Sequence, residues 1–202
     1  MRDESLPTPT AGTRERLIGA MLEALGTRGF HGVGIIELLS RAQAPKGVLY
    51  HHFPGGKTEL AVVAIDTVAG HITLTLEKLF SQHGDPVQAL TLWMQDAQST
   101  LLGSGCQQGC PLATIALEST AEDTAIREAV ARGFAAIRGT LTGALVASGI
   151  DAPLAGRLAS LIVSAYEGGL IQARVAGSGG PLQDTATTLL DTLRALIPPG
   201  RS

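Results

Sequence analysis

The sequence predicts an all-α chain of about nine helices: a three-helix unit containing a helix-turn-helix at residues 13–57, then a helical body over 58–202. Three observations carry this. Apolar residues recur at three- and four-residue spacing along most of the chain. No run alternates as a strand would, and no internal repeat is present. Gly, Pro and Asp fall between the periodic segments, where helices should stop and start. The 202 residues are 45% hydrophobic but only 3% aromatic, which suits helices packed closely through Ala, Leu and Gly. The length allows one large or two small domains.

The elements follow in order. Residues 1–12 are polar and have no apolar core of a signal sequence, so they are expected to be a disordered arm, with Arg2 in reach of a minor groove. Residues 13–27 form the first helix: Thr13 serves as N-cap, Leu17, Ile18, Met21, Leu22 and Leu25 make one stripe, and Gly26 and Gly29 end it. A short second helix over 34–41 carries Ile35, Ile36, Leu38 and Leu39 as an apolar cluster, with Gly34 as a weak N-cap. Ala42-Gln43-Ala44 is a tight connector. Pro45 suits the first turn of a third helix over 46–52, which Pro54-Gly55-Gly56 stops. A long helix over 58–80 follows. Ile65, Val68, Ile72, Leu76 and Leu79 line one face and Leu60, Val63 and Leu74 the other, so burial on two faces is expected, with Gly70 as a close packing contact. Residues 82–85 form a loop, and Pro86 begins a helix to about residue 102. Further helices are expected over 124–148, 151–176 and 182–197, with GSGGP at 177–181 as a flexible break and Pro198-Pro199 as the stop.

Two short helices joined by a tight turn present the second helix to a DNA major groove, N-terminus first. The third helix suits that use. Leu49 and Phe53, four apart, face inward, which leaves Lys46, Gly47, Val48, Tyr50, His51 and His52 facing outward or sideways. Gly47 lets the backbone approach a base edge, Lys46 reaches guanine or phosphate, and Val48 meets a thymine methyl. Tyr50 and His52 donate to phosphate oxygens. Lys57 stands at the start of the next helix, where a cation opposes the helix dipole. A phosphate held by Lys57 and the free N–H groups would resolve that conflict.

At these residues the chain resembles the TetR family of transcriptional regulators. The spacing of Gly29, Phe30, Ala42, Gly47, Leu49, Tyr50, Phe53, Lys57 and Leu60 agrees with the family's signature. Pro45-Lys46-Gly47 with Pro54-Gly55-Gly56-Lys57, and GCPLATIALE at 109–118, resemble its LmrA/YxaF-like branch. There are departures. Hydroxyl residues usual near Val33 and Gly34 are absent, which leaves a phosphate contact there to backbone N–H, and Gln43-Ala44-Pro45 replaces the usual Gly-Val-Ser. The resemblance implies a ligand-responsive, DNA-binding regulator: a dimeric repressor whose body binds a small effector and pairs with a second copy. The dimer would form through a four-helix bundle of the last two helices, where Gly156, Ala159, Ser160, Gly168 and Gly169 permit close crossing.

The body offers few large side chains. Trp93, Met94, Leu112, Ile115, Phe134, Tyr166 and Leu170 are the candidate lining for a small hydrophobic or aromatic effector, with Gln98, Glu167 and Gln172 as polar anchors. The same residues also read as plain core. Cys106 and Cys110 have no second Cys or His pair, so no zinc site is expected, and two buried thiols are the plain reading beside a redox pair. Motifs for metal, nucleotide or acyl-transfer chemistry are absent, so neither an enzyme nor a bound cofactor is expected. Net charge is −3, which excludes a polybasic nucleic-acid binder. Residues 1–60 nonetheless carry seven Lys/Arg against six Asp/Glu. No run approaches 18 consecutive apolar residues, so a cytoplasmic protein with no membrane contact is expected. A helical ligand-binding module with a weakened DNA reader is the rival reading.

Overall fold

The computed structural model describes residues 12–197. The arm with Arg2 and the Pro198-Pro199 stop lie outside the described residues. Among those described there are nine helices and no strand: α1 Thr13–Thr27, α2 Ile35–Arg41, α3 Val48–His52, α4 Gly56–His83, α5 Pro86–Gly103, α6 Pro111–Glu118, α7 Thr124–Ala147, α8 Ala152–Ala176 and α9 Gly180–Leu196.

The chain divides into two compact units, with breaks at Ala69/Gly70, Cys110/Pro111 and Gly133/Phe134. The first unit holds α1 to α3, the start of α4, α6 and the start of α7. The second holds the rest. α6 packs on α1 and so belongs to the first unit.

The core of the first unit follows the predicted stripes. Leu17, Met21 and Leu25 of α1 are fully buried, as are Leu38, Leu60, Ile65, Leu112 and Ile115. Each such side chain contributes about 1.5–3 kcal/mol relative to exposure. Gly133 explains the close approach of α7 to α4: a Cβ there would stand 3.0 Å from that of Ala69. In the second unit, Asp85 caps α5 by accepting from the Val87 N–H at 2.9 Å, with Pro86 in the first turn. Gly169 lets α8 and α9 pack tightly, since a Cβ there would reach within 2.9 Å of the Leu182 side chain and 3.3 Å of its Cα. Gly177 ends α8 in the left-handed region at φ 65°.

Several expectations shift. Gly12, not Thr13, occupies the N-cap of α1. α3 begins at Val48, because Pro45, Lys46 and Gly47 are spent on a turn closed by the Val48 N–H on the Pro45 carbonyl at 3.3 Å. α9 begins at Gly180, which shortens the break at 177–181. Leu74 is 66% exposed, so α4 is not closed on both faces there. Gly70 is exposed, with open space where a Cβ would stand, and is no packing contact. α4 and α8 reach the length and apolar content of membrane-crossing helices. Both nevertheless lay fully buried residues against neighbouring helices, Leu60, Ala64, Ile65 and Leu76 in α4 and Ala155, Ala159, Ile162 and Ala173 in α8, as core helices do.

Candidate nucleic-acid interface

The helix-turn-helix is built from the inside out. Leu38 and Leu39 of α2 and Leu49 of α3, with Phe53 directly after it, are buried. Their burial fixes which faces remain outside. α2 ends on Ala42, whose carbonyl accepts from Arg16 Nε at 2.9 Å. The chain then passes through Gln43 at φ 49° and Gly47 at φ 92°. Gly47 caps α3 in the left-handed region, with nothing within 4 Å of a built Cβ. A glycine is required there by conformation and not by crowding.

The outward set matches the sequence reading closely. Gly34, Lys46, Gly47, Tyr50 and His51 are exposed, and Val48 and His52 are half-buried. Tyr50 is 58% exposed, and its ring leans on the start of α4, where a Cβ on Gly56 would come within 3.1 Å of it. Ile36 was assigned to the apolar cluster of α2. It is 77% exposed instead, because the two inward positions of this seven-residue helix go to Leu38 and Leu39. Ser40, one turn further along α2, is exposed with it.

Lys57 goes elsewhere than expected. Its Nζ donates to the Phe30 carbonyl at 2.6 Å and lies 4.3 Å from the centre of the Phe30 ring. Burial lowers its pKa, opposed by the negative charge of Glu118. Glu118, at the end of α6, accepts from the main-chain N–H groups of Phe30 and, at 3.4 Å, His31. Both peptide groups of Phe30 are therefore held, the N–H by Glu118 and the C=O by Lys57. Next to this, His31 Nε2 lies 3.0 Å from Asp123 Oδ2. The main-chain N–H of Thr120, then His31, hold the Asp123 carboxyl down at about 2. The turn before α2 is thus tied to the segment between α6 and α7. Around α2, Arg28 and Arg41 share Glu37, and Arg41 also meets Glu23 at 2.6 Å, so these cations are engaged within the head.

Residues 17–64 match the model of the bacterial regulatory proteins of the tetR family, and residues 86–188 match that of the transcriptional regulator LmrA/YxaF-like C-terminal domain. An uncharacterized HTH-type transcriptional regulator of Mycobacterium tuberculosis is 31% identical over 192 residues, covering 93% of this chain and 97% of that protein. The HTH-type transcriptional regulator LmrA of Bacillus subtilis is 23% identical over 90% of this chain and 97% of its own. The crystal structure of a TetR transcriptional regulator from Legionella pneumophila superposes with a TM-score of 0.81 at 22% identity, over 92% of this chain and 99% of that one. The chain belongs to the TetR family. It is a DNA-binding transcriptional regulator and not an enzyme.

In this TetR-family regulator the candidate effector residues fall into two groups. Leu112 and Ile115 lie in the first unit, fully buried in its core. Trp93, Met94, Phe134, Tyr166 and Leu170 belong to the second. There Trp93 and Tyr166 stack with ring centres 4.1 Å apart and planes 17° apart. Met94 and Leu170 are buried and Phe134 is half-buried. Of the polar anchors, Gln98 donates to the Gly179 carbonyl and Gln172 to the Gly168 carbonyl. Cys106 and Cys110 are buried and form no disulfide. Among the described residues no group of His, Cys, Asp and Glu is arranged to hold a metal.

Proposed function

We propose that this regulator is a homodimeric repressor that leaves a near-palindromic operator when its body takes up a small hydrophobic or aromatic molecule. The observation that carries the reading is the outward surface of α3 and its turn, where Lys46, Gly47, Tyr50 and His51 are exposed above the buried Leu49 and Phe53. In the major groove Gly47 admits the backbone to a base edge, Lys46 reaches guanine or phosphate, and Val48 meets a thymine methyl. Tyr50, His51 and His52, with the free N–H groups that follow Gly34, take phosphate oxygens. Lys57 acts through the Phe30 turn that positions α2.

An apolar stripe on α8 supports the dimer. Leu161, Ile171 and Val175 are exposed, Val175 by 85%, and share a helix face with Ser164 and Gly168. A second copy covers this stripe about a two-fold axis. The two α3 helices then meet successive major grooves, about 34–36 Å apart. Trp93, Met94, Phe134, Tyr166 and Leu170 favour an effector held in the second unit, with Leu112 and Ile115 shaping α6. An effector that prefers the wrongly spaced dimer weakens DNA binding, and DNA weakens effector binding by the same factor. Such a protein works in the cytoplasm, on the chromosome.

The test is a footprint on the DNA upstream of the protein's own gene across a salt series. Two protected half-sites about one helical turn apart, lost steeply as salt rises and lost in Tyr50→Ala, are the expected result. No protection by a folded, dimeric protein would overturn the reading and favour a ligand-binding module without a working DNA reader.

A further inference from the structure

Glu167 stands out in the second unit. It lies on α8 among Val163, Tyr166 and Leu170, which pack inward. Its Oε2 is buried and has no hydrogen-bond partner among the described residues. The Cys110 thiol donates to the carboxylate. A buried oxygen left without a donor is costly, and such atoms are few in folded proteins.

The surroundings define what would complete it. Burial, then Cys110, Glu167 and Asp96, raise the pKa of Tyr166, the neighbour of Glu167. The Trp93–Tyr166 stack supplies an apolar flank. We infer that Glu167 is the recognition group for a cationic effector: an organic amine whose ammonium donates to Oε2 and whose hydrocarbon part packs beside Trp93 and Tyr166. This rests on the ligand-responsive reading above and narrows its ligand class. A neutral donor would satisfy the oxygen but leave the charge of the buried carboxylate uncompensated, and an anion would be repelled by it.

Burial holds the Glu167 carboxyl up at about 7, with the Cys110 hydrogen bond opposing. A cation that needs the carboxylate therefore binds more tightly as pH rises. The ionised fraction grows about tenfold between pH 6 and pH 8 for a group near 7, and binding at pH 7 releases about half a proton.

Trp93 is the sole tryptophan, so its emission reports on this site in the full-length protein without DNA. The probes are 4-phenylbutylamine, 4-phenylbutanol and 4-phenylbutanoate, which share one skeleton and differ in charge. The expected result is at least tenfold tighter binding of the amine than of the alcohol at pH 8, shrinking to near parity at pH 6. Calorimetry at pH 7 in two buffers should show the proton release. Glu167→Gln keeps the side-chain volume and should abolish both the amine preference and the proton release. No binding of the amine at pH 8, equal affinity for amine and alcohol there, or a preference that survives Glu167→Gln would each overturn the inference. Those outcomes leave the operator footprint intact, whereas a failed footprint leaves the amine titration intact, so the two readings fail separately.

Discussion

Lys57 and Phe30 are joined twice: the lysine donates to the Phe30 carbonyl at 2.6 Å, and its ammonium stands 4.3 Å from the ring centre. A cation at the start of α4 invites assignment to a DNA phosphate. The geometry gives it a different task, bracing the turn that leads into α2. Lys57→Met should therefore lower stability by about 1–2 kcal/mol, since it strands a carbonyl and removes a partly buried charge from an aromatic face. It should leave the slope of log affinity against log salt unchanged. Lys46→Met, at an exposed position, should do the reverse: stability holds and the slope falls by about one. Denaturant melts and anisotropy titrations on both variants decide this, and a reduced slope in Lys57→Met would return that lysine to the phosphate.

Gly47 caps α3 at φ 92° with open space around it. An alanine meets no neighbour there but must adopt a left-handed backbone, at about 1 kcal/mol. Gly47→Ala should cost about that much in a melt and cost more in operator binding, because the added methyl lies on the exposed surface proposed to meet DNA. A fall in affinity no larger than the loss of stability would mean that the glycine serves the fold alone.

Gly29 has φ 74°, and a Cβ on it would collide with the Glu118 carboxylate that holds the Phe30 N–H. Glu118→Ala should destabilise the head by about 1–3 kcal/mol, by leaving donors of a part-buried turn without their acceptor. Gly29→Ala should be worse, since it adds backbone strain and displaces the same carboxylate. Hydrogen exchange at Phe30 and His31 reads this directly. Unchanged protection of those amides in Glu118→Ala would show that the contact does not hold the turn.

What the sequence revealed and what it hid follow from range. The Leu49–Phe53 pair, the Asp85-Pro86 start and the Gly177 stop are local patterns, set by helix periodicity and backbone conformation, and were legible. The outward face of α3 followed from Leu49 and Phe53 by elimination. Lys57 was misplaced because its partner is 27 residues away. Glu118 was overlooked because Phe30 lies 88 residues distant. Neither pairing leaves a trace in local spacing. Ile36 misled for another reason: a seven-residue helix is too short for its stripe to distinguish an inward apolar residue from an outward one. Glu167 left a local sign, an acid flanked by Val163, Tyr166 and Leu170 on α8, but its unpartnered oxygen depends on the packed unit.

Glu167 also makes a prediction about the ligand-free protein. Its carboxyl is raised from 4.5 to about 7 on folding, chiefly by burial. Below about pH 4.5 both folded and unfolded chains hold the proton, and the group carries no folding penalty. As pH rises toward 7 the unfolded chain loses its proton first, so the folded state becomes progressively less favoured. Above 7 both are ionised and the full penalty is present. Glu167→Gln cannot ionise. Its stability relative to the parent should therefore grow from near zero at pH 4.5 to an advantage on the order of 3 kcal/mol at pH 8. Denaturant melts at pH 5, 6, 7 and 8 measure this difference. A constant offset across that range would mean that Glu167 titrates normally, and that its buried oxygen is reached by solvent in the folded protein.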